Sequence, residues 1–367
     1  MSGLYVHIPF CIQKCDYCDF YSEDDKNYLI QDYLQAVIKE LQKYKYQYNP
    51  VFDTLYIGGG TPTSISEKFL DFLFSSIFSI YPKSCFKEIT IEINPETLTE
   101  KKTKVISLNV TRASVGAQSF NDDLLKILNR VHNSETIKKA IGLLRQYDIN
   151  NINIDIMFGI PQQKPDDALN DLKQTIDLKP SHISYYMLTL YKNTKMYGYK
   201  LPDDKLIEDM YLKGVDFLNK NGFIQYEISN FCQKGKECIH NLNYWNIGQY
   251  IGVGASASSY YNNERYTNIK SIAGYINKIN KDEKVIDFVE KYTEDKKLKD
   301  YIILKLRTTK GILYDDFKEK FKFDFKEKYS NIIDKLVKAG LSKEEKNSFS
   351  LTERGFIVSN KILQEFI

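Results

Sequence analysis

Cys11, Cys15 and Cys18 stand within eight residues of one another in the stretch PFCIQKCDYCDFYS (residues 9–22). Thiolates are soft ligands for iron and zinc, so three of them this close read as a metal centre and not as a disulfide framework. A structural zinc ion usually takes four ligands from two pairs. The only other Cys or His nearby is His7, which the local pattern holds within a strand. Three thiolates suit a [4Fe-4S] cluster, because they bind three irons and leave the fourth open to an outside ligand. A zinc-binding interaction module remains the rival reading of the same residues.

A second set of chemistry-bearing residues lies on strands that alternate polar and apolar positions. Thr90, Glu92 and Asn94 share one face of ITIEIN; Arg112, Ser114, Gly116 and Gln118 share one face of TRASVGAQ; Asn151, Asn153 and Asp155 share one face of NINIDIM. Burying such groups without partners costs about 1–3 kcal/mol each. A polar ligand or a large internal network is therefore expected, with the ligand the favoured reading. Glu92, Gln118 and Asp155 fall towards the C-terminal ends of their strands, where αβ barrels keep their chemistry. The run IGGGTP (57–62) ends another strand. It has neither the Walker pattern nor the GxGxxG spacing, but its glycines let a ligand approach bare backbone and Thr61 offers a hydroxyl.

The elements that must position these residues follow from periodicity. Strands are predicted at 4–10, 52–59, 89–94, 111–118, 152–159 and 183–190, and amphipathic helices separate them. The clearest helix spans 28–44, where Leu29, Ile30, Leu34, Val37, Ile38 and Leu41 share a face. Such alternation predicts an α/β fold of right-handed βαβ units with a parallel sheet, closed or partly closed as a barrel. Helices then cover the apolar side, and the polar side lines an interior. Residues 1–230 are expected to form the barrel, 231–285 a connecting segment, and 286–367 a winged-helix-like α+β domain.

Composition excludes several function classes. At 367 residues, 43% hydrophobic and 27% charged, the chain reads as a globular protein with ample core. A net charge of +3 gives little reason to expect nucleic acid. The wing candidate LSKEEKNSFSLTERG mixes both charge signs, which favours a packing or docking module over a DNA reader. No leader or 18-residue apolar run is visible, so the expected compartment is the cytoplasm, with peripheral membrane contact left open. Cys85 is expected to be a buried bystander.

Together these motifs are similar to a known family. CIQKCDYC matches CxxxCxxC of radical S-adenosylmethionine (SAM) proteins, and YVHIPFC, IGGGTPT, IEINPE, GAQSFND, NRVHN and IDIMFGIPQQ resemble the oxygen-independent coproporphyrinogen III oxidase group. The resemblance implies a partial (β/α)6 radical SAM barrel with Cys11, Cys15 and Cys18 as cluster ligands. It implies SAM contacts from Tyr5, the backbone beside Tyr17, Gly59, Gly60, Thr61 and Glu92, and places Gln118, Arg130 and Asp155 where the oxidase serves a second SAM. Two departures separate the chain from the oxidase proper: Phe20 stands where the oxidase has a further Cys, and an N-terminal extension is absent. Both resemble the sister branch, the HemW-type heme chaperones.

HNLNYW (240–245) resembles the HNxxYW motif associated with heme in that branch. His240 is then expected as an axial imidazole, with Tyr244 and Trp245 as flat faces for a porphyrin. The implied partners are heme and acceptor hemoproteins, and the alternative activity is oxidative decarboxylation of coproporphyrinogen III to protoporphyrinogen IX. A second metal site at Cys232 and Cys238 is set aside because their spacing is loose.

Overall fold

Each stretch between the predicted strands forms a helix whose apolar stripe must be covered, and that requirement lays successive strands parallel in one sheet. The computed structural model describes residues 1–24 and 26–367. Its first part runs β1 (Ser2–Ile8), α1 (Ile30–Tyr48), β2 (Thr54–Gly59), α2 (Glu67–Ile80), β3 (Glu88–Ile93), α3 (Glu100–Asn109), β4 (Arg112–Gln118), α4 (Asp122–Ile127), α5 (Ser134–Gln146), β5 (Ile152–Phe158), α6 (Pro165–Asp177), β6 (His182–Met187) and α7 (Asp204–Lys220). Strands β1 to β6 pair in that order, all parallel.

The outward residues are apolar and buried: Leu4, Val6 and Ile8 on β1, Ile89, Ile91 and Ile93 on β3, Ile152, Ile154 and Ile156 on β5. They pack with Leu34, Val37 and Leu41 of α1 and Leu70, Leu73 and Ile77 of α2 in one core. A one-residue slip would turn this row inward and the polar row into the helices, so the register is strongly set. Side chains cap the helices that return the chain: Ser66, Thr99, Asn133 and Asp203 each accept a backbone N–H of the first turn.

The remaining elements of the large sheet are β7 (Ile224–Gln225), β8 (Asn230–Cys232), α8 (Ile239–Trp245), β9 (Gln249–Val253), β10 (Ser258–Tyr261), β11 (Glu264–Asn268), α9 (Ile272–Asn280) and β12 (Ile286–Lys291). The sheet order is β12-β11-β10-β9-β1-β2-β3-β4-β5-β6-β8-β7. Residues 231–285 therefore do more than connect: β9 extends the sheet beside β1, and β10 and β11 follow it. Residues 286–291 pair with β11 and belong to this sheet, so the C-terminal unit starts later than the expected residue 286. Ladders between distant, polar segments carry no local sequence signal.

Beyond them lie α10 (Glu294–Lys305), β13 (Ile312–Leu313), α11 (Tyr314–Phe321), α12 (Phe325–Lys338), β14 (Ser342–Glu345), β15 (Ser348–Leu351), α13 (Glu353–Ile357) and α14 (Ser359–Gln364). The three strands form a separate sheet ordered β13-β15-β14. Phe317, Phe325, Phe349 and Phe366 pack at its centre. This is the helix, short helix, helix, hairpin order expected of a winged helix. Among the described residues no helix is long and apolar enough to cross a membrane.

Candidate functional site

The loop leaving β1 carries the three thiols, and it is pinned at both ends to strand backbone. Gly60 N–H donates to Ile8 O (2.9 Å), Thr61 N–H to Phe10 O (2.8 Å) and Cys11 N–H to Glu23 O (3.2 Å). Gln13 Nε2 reaches Asn129 Oδ1 (2.9 Å), and Met196 N–H donates to Asp16 O (3.1 Å), which ties the loop to segments following β4 and β6. So held, Cys11, Cys15 and Cys18 all line one cavity of about 150 Å³ at the C-terminal end of the strands. Burial pushes the Cys11 thiol up and the Cys18 thiol up to about 11. Among the described residues no three Cys, His, Asp or Glu side chains converge as a single ion would require. A cubane takes one thiolate per iron, so its ligands share a cavity without sharing a point.

The same cavity is lined by Tyr17, Gly59, Gly60, Thr61, Glu92, Asn94, Gln118, Arg130, Asp155 and Tyr186. Gly59 adopts φ +118°, and a Cβ on Gly60 would sit 2.8 Å from Phe10 O and 3.0 Å from Cys11 Sγ. Both positions thus require bare backbone. Glu92 accepts from Tyr56 Oη (2.9 Å) and Gly59 N–H (3.1 Å). Burial raises its carboxyl to about 7, with Asp155 adding and Tyr56 opposing. Asp155, also raised by burial, accepts from Asn153 Nδ2 (2.7 Å) and Ser114 Oγ (3.4 Å). Arg130 donates to Cys15 Sγ (3.3 Å), Asn94 Oδ1 (2.9 Å) and Gly116 O (3.0 Å), and its Nε is buried with no partner. Gln118 takes a positive φ of 70° and accepts from Tyr186 Oη (2.5 Å).

The donor set fits the groups the sequence implies. Three thiols around one hollow offer a cluster three corners. A buried cation lies against one of them. A bare-backbone edge and two desolvated carboxyls then suit a small ligand carrying positive charge.

Two expected site residues lie elsewhere. Tyr5 pairs in register with Tyr56, below the cavity floor, and its hydroxyl bonds His7 Nδ1 (3.0 Å). It lines an adjoining hollow, not the cluster cavity. His240 sits at the opposite end of the barrel. Helix α8 enters there, its first N–H groups held by the Glu88 carboxylate: Ile239 N–H and His240 N–H each donate over 3.0 Å. Only 1% of His240 is exposed. Its Nδ1 bonds Thr54 Oγ1 at the start of β2 (2.7 Å) and its Nε2 bonds Tyr244 Oη (2.8 Å). Both ring nitrogens are engaged, and an axial role through Nε2 would require Tyr244 Oη to move away. Trp245 is half-buried and borders a third hollow, between β6 and α13.

Part of the polar face is satisfied by an internal network. Near the N-terminal end of the strands, Asn153 bridges Ser114 (2.8 Å), Ser184 (3.0 Å) and His182 (2.6 Å), and His182 in turn reaches Tyr226 (2.8 Å). Ser114 belongs to this network and also lines the cavity. Tyr56 and Tyr186 were not singled out from sequence, although each falls on the inward face of its strand, whereas Asn94 was placed on the polar face of ITIEIN. Cys85 is exposed, against expectation. Cys238 donates to Glu88 (3.4 Å), and burial raises both Cys232 and Cys238 to about 12.

Comparison with known proteins agrees with this geometry. The radical SAM superfamily profile matches residues 5–174, and the HemN C-terminal domain profile matches residues 292–358. The chain is similar to the heme chaperone HemW of Haemophilus influenzae, 33% identical with 100% of this chain and 97% of the relative covered. It is 31% identical to that of Bacillus subtilis, with 100% and 99% covered. The solved structure of Escherichia coli coproporphyrinogen III oxidase (HemN), a radical SAM enzyme, superposes with a TM-score of 0.86 at 21% identity, covering 100% of this chain and 89% of that one.

Proposed function

Because the chain belongs to the HemW family of the radical SAM superfamily, we propose that it binds a [4Fe-4S] cluster, SAM and heme, and that it hands the heme to acceptor hemoproteins. The observation that carries the reading is the shared cavity of Cys11, Cys15 and Cys18 with Gly59, Gly60, Glu92 and Asp155. The three cysteines hold the cluster, which when bound supplies an iron coordination position and an electron route. Gly59, Gly60 and Thr61 present backbone to the amino acid part of SAM, and Glu92 receives its ammonium group. Arg130 balances the thiolate charge beside Cys15 and fixes Asn94. Gln118, Arg130 and Asp155 line the same hollow and would serve a second SAM there. Phe20, 64% exposed at the mouth, offers no thiol for a further reaction there.

Anaerobic reconstitution with iron and sulfide, followed by hemin titration with and without SAM, tests the proposal. The expected product holds about four irons per chain, binds hemin stoichiometrically and releases it to an apo-hemoprotein. A preparation that converts coproporphyrinogen III to protoporphyrinogen IX would instead support the oxidase activity.

A further inference from the structure

A second cavity, of about 360 Å³, opens beside the cluster cavity and shares Phe20 with it. Its walls come from three places that the chain brings together late: Tyr5 on the inward face of β1, Tyr244 on α8, and Tyr250, Tyr260 and Arg265 on β9 to β11. The tyrosine rings are braced by one another. Tyr244 and Tyr250 meet edge to face at 4.6 Å between centroids, and Tyr260 meets Tyr292 at 4.9 Å. Arg265 is the cation of this hollow. Its guanidinium lies 5.2 Å from the centre of the Tyr292 ring, one nitrogen pairs with Asp300 (3.1 Å), and its Nε is buried without a partner.

Flat aromatic walls with a part-satisfied guanidinium suit a flat, mainly apolar ligand bearing carboxylates. The cluster cavity, with its thiols and buried carboxyls, suits no such ligand. His240 reaches the second cavity only through Tyr244, whose hydroxyl it holds at 2.8 Å while Thr54 holds its other nitrogen. To ligate iron through Nε2 it would have to give up its bond to Tyr244 and displace that ring from the wall, keeping only the bond to Thr54.

We propose that the porphyrin ring of heme occupies this tyrosine-lined cavity, with Arg265 at a propionate, and that His240 is a positioning residue that sets Tyr244 in the wall and not the iron ligand. The proposal rests on the reading that this chain binds heme.

The test is a titration of the full chain with ferric hemin and, separately, with hemin dimethyl ester, followed by the Soret band and by low-temperature EPR of the bound form. The wild type is expected to prefer hemin to the ester. Arg265→Gln should weaken hemin at least tenfold and abolish that preference, whereas Asp300→Asn, which keeps the cation and frees its fork, should bind at least as tightly as wild type. Ser258→Trp, which fills the cavity from β10, should weaken both probes. His240→Gln and Tyr244→Phe should weaken hemin by similar factors while the residual complex keeps the wild-type Soret maximum and EPR signals. Unchanged affinity in both Arg265→Gln and Ser258→Trp would overturn the location, given circular dichroism matching wild type. A changed ligand-field spectrum in His240→Gln would make that residue the ligand and overturn its positioning role. A wild-type chain that takes up no hemin would remove the heme reading itself, and the location with it.

Discussion

Arg130 and His240 mark two ways in which the surroundings of a single residue escape a reading of local pattern. Arg130 ends a helix-like stretch with no acidic residue beside it in sequence, so its local pattern is that of a solvated charge. Only the fold brings it 3.3 Å from Cys15. His240 has the right chemistry for iron, but its two ring nitrogens are bonded to Thr54 and Tyr244, and Thr54 is a neighbour that no local pattern announces. Glu92 and Asp155 were legible because strict alternation with Ile91, Ile93, Ile154 and Ile156 gives their face away. Two outcomes belong to this scale. Cys15→Ala should eliminate the cluster, leaving reconstituted protein without its iron–sulfur absorbance or bound iron; a retained [4Fe-4S] signal would contradict its assignment. The second concerns pH. Burial lowers His240 from 6.5 to about 3, with Arg112 assisting. The unfolded chain therefore takes up a proton that the folded chain refuses, and the stability present above pH 6.5 is lost as pH falls towards 3. Between pH 7 and 5 the wild type should lose about 2 kcal/mol more than His240→Gln in urea unfolding. Buried carboxyls such as Glu92 are common to both chains and cancel in the difference; equal pH dependence would contradict the neutral, buried imidazole.

At the scale of elements, the six parallel strands and their helices were readable because each carries its own periodic apolar row, and β1 to β6 fall close to where that row predicts. Strands β7 to β12 were not. They are short or polar on both sides, and they exist through partners far away in sequence, as β9 does beside β1. The plug helix α8 is similar: its place is set by Glu88, 151 residues from Ile239. The turn after β2 carries the element-level prediction. Gly60→Ala places a methyl group 2.8 Å from Phe10 O and 3.0 Å from Cys11 Sγ, where backbone cannot yield cheaply. The variant should fold but bind SAM at least tenfold more weakly by equilibrium dialysis, with a cluster that is lost faster on exposure to air. Wild-type affinity would mean that the ligand does not approach this backbone.

Across the whole molecule, the sheet continues on both sides of the six-stranded barrel, and the C-terminal unit closes against it. Ile228 N–H donates to Arg307 O (2.9 Å), and Lys305 Nζ reaches Asn246 Oδ1 just after α8 (2.6 Å). The α10 region therefore braces the helix that carries the HNLNYW residues, which gives the winged-helix-like unit a packing role consistent with its mixed surface charge. Two cavities separated by Phe20 result, one fitted to a cluster with a small charged ligand, the other walled by tyrosines. In the proposed function, the three thiols of the first cavity leave one iron of a bound cluster free to meet SAM. EPR of the anaerobically reduced, reconstituted protein measures this directly. Addition of SAM should change the g-values of the cluster signal, because the sulfonium ligand's amino and carboxylate groups enter the coordination of the open iron. A signal unmoved by saturating SAM, or zinc in place of iron in the anaerobic preparation, would contradict it.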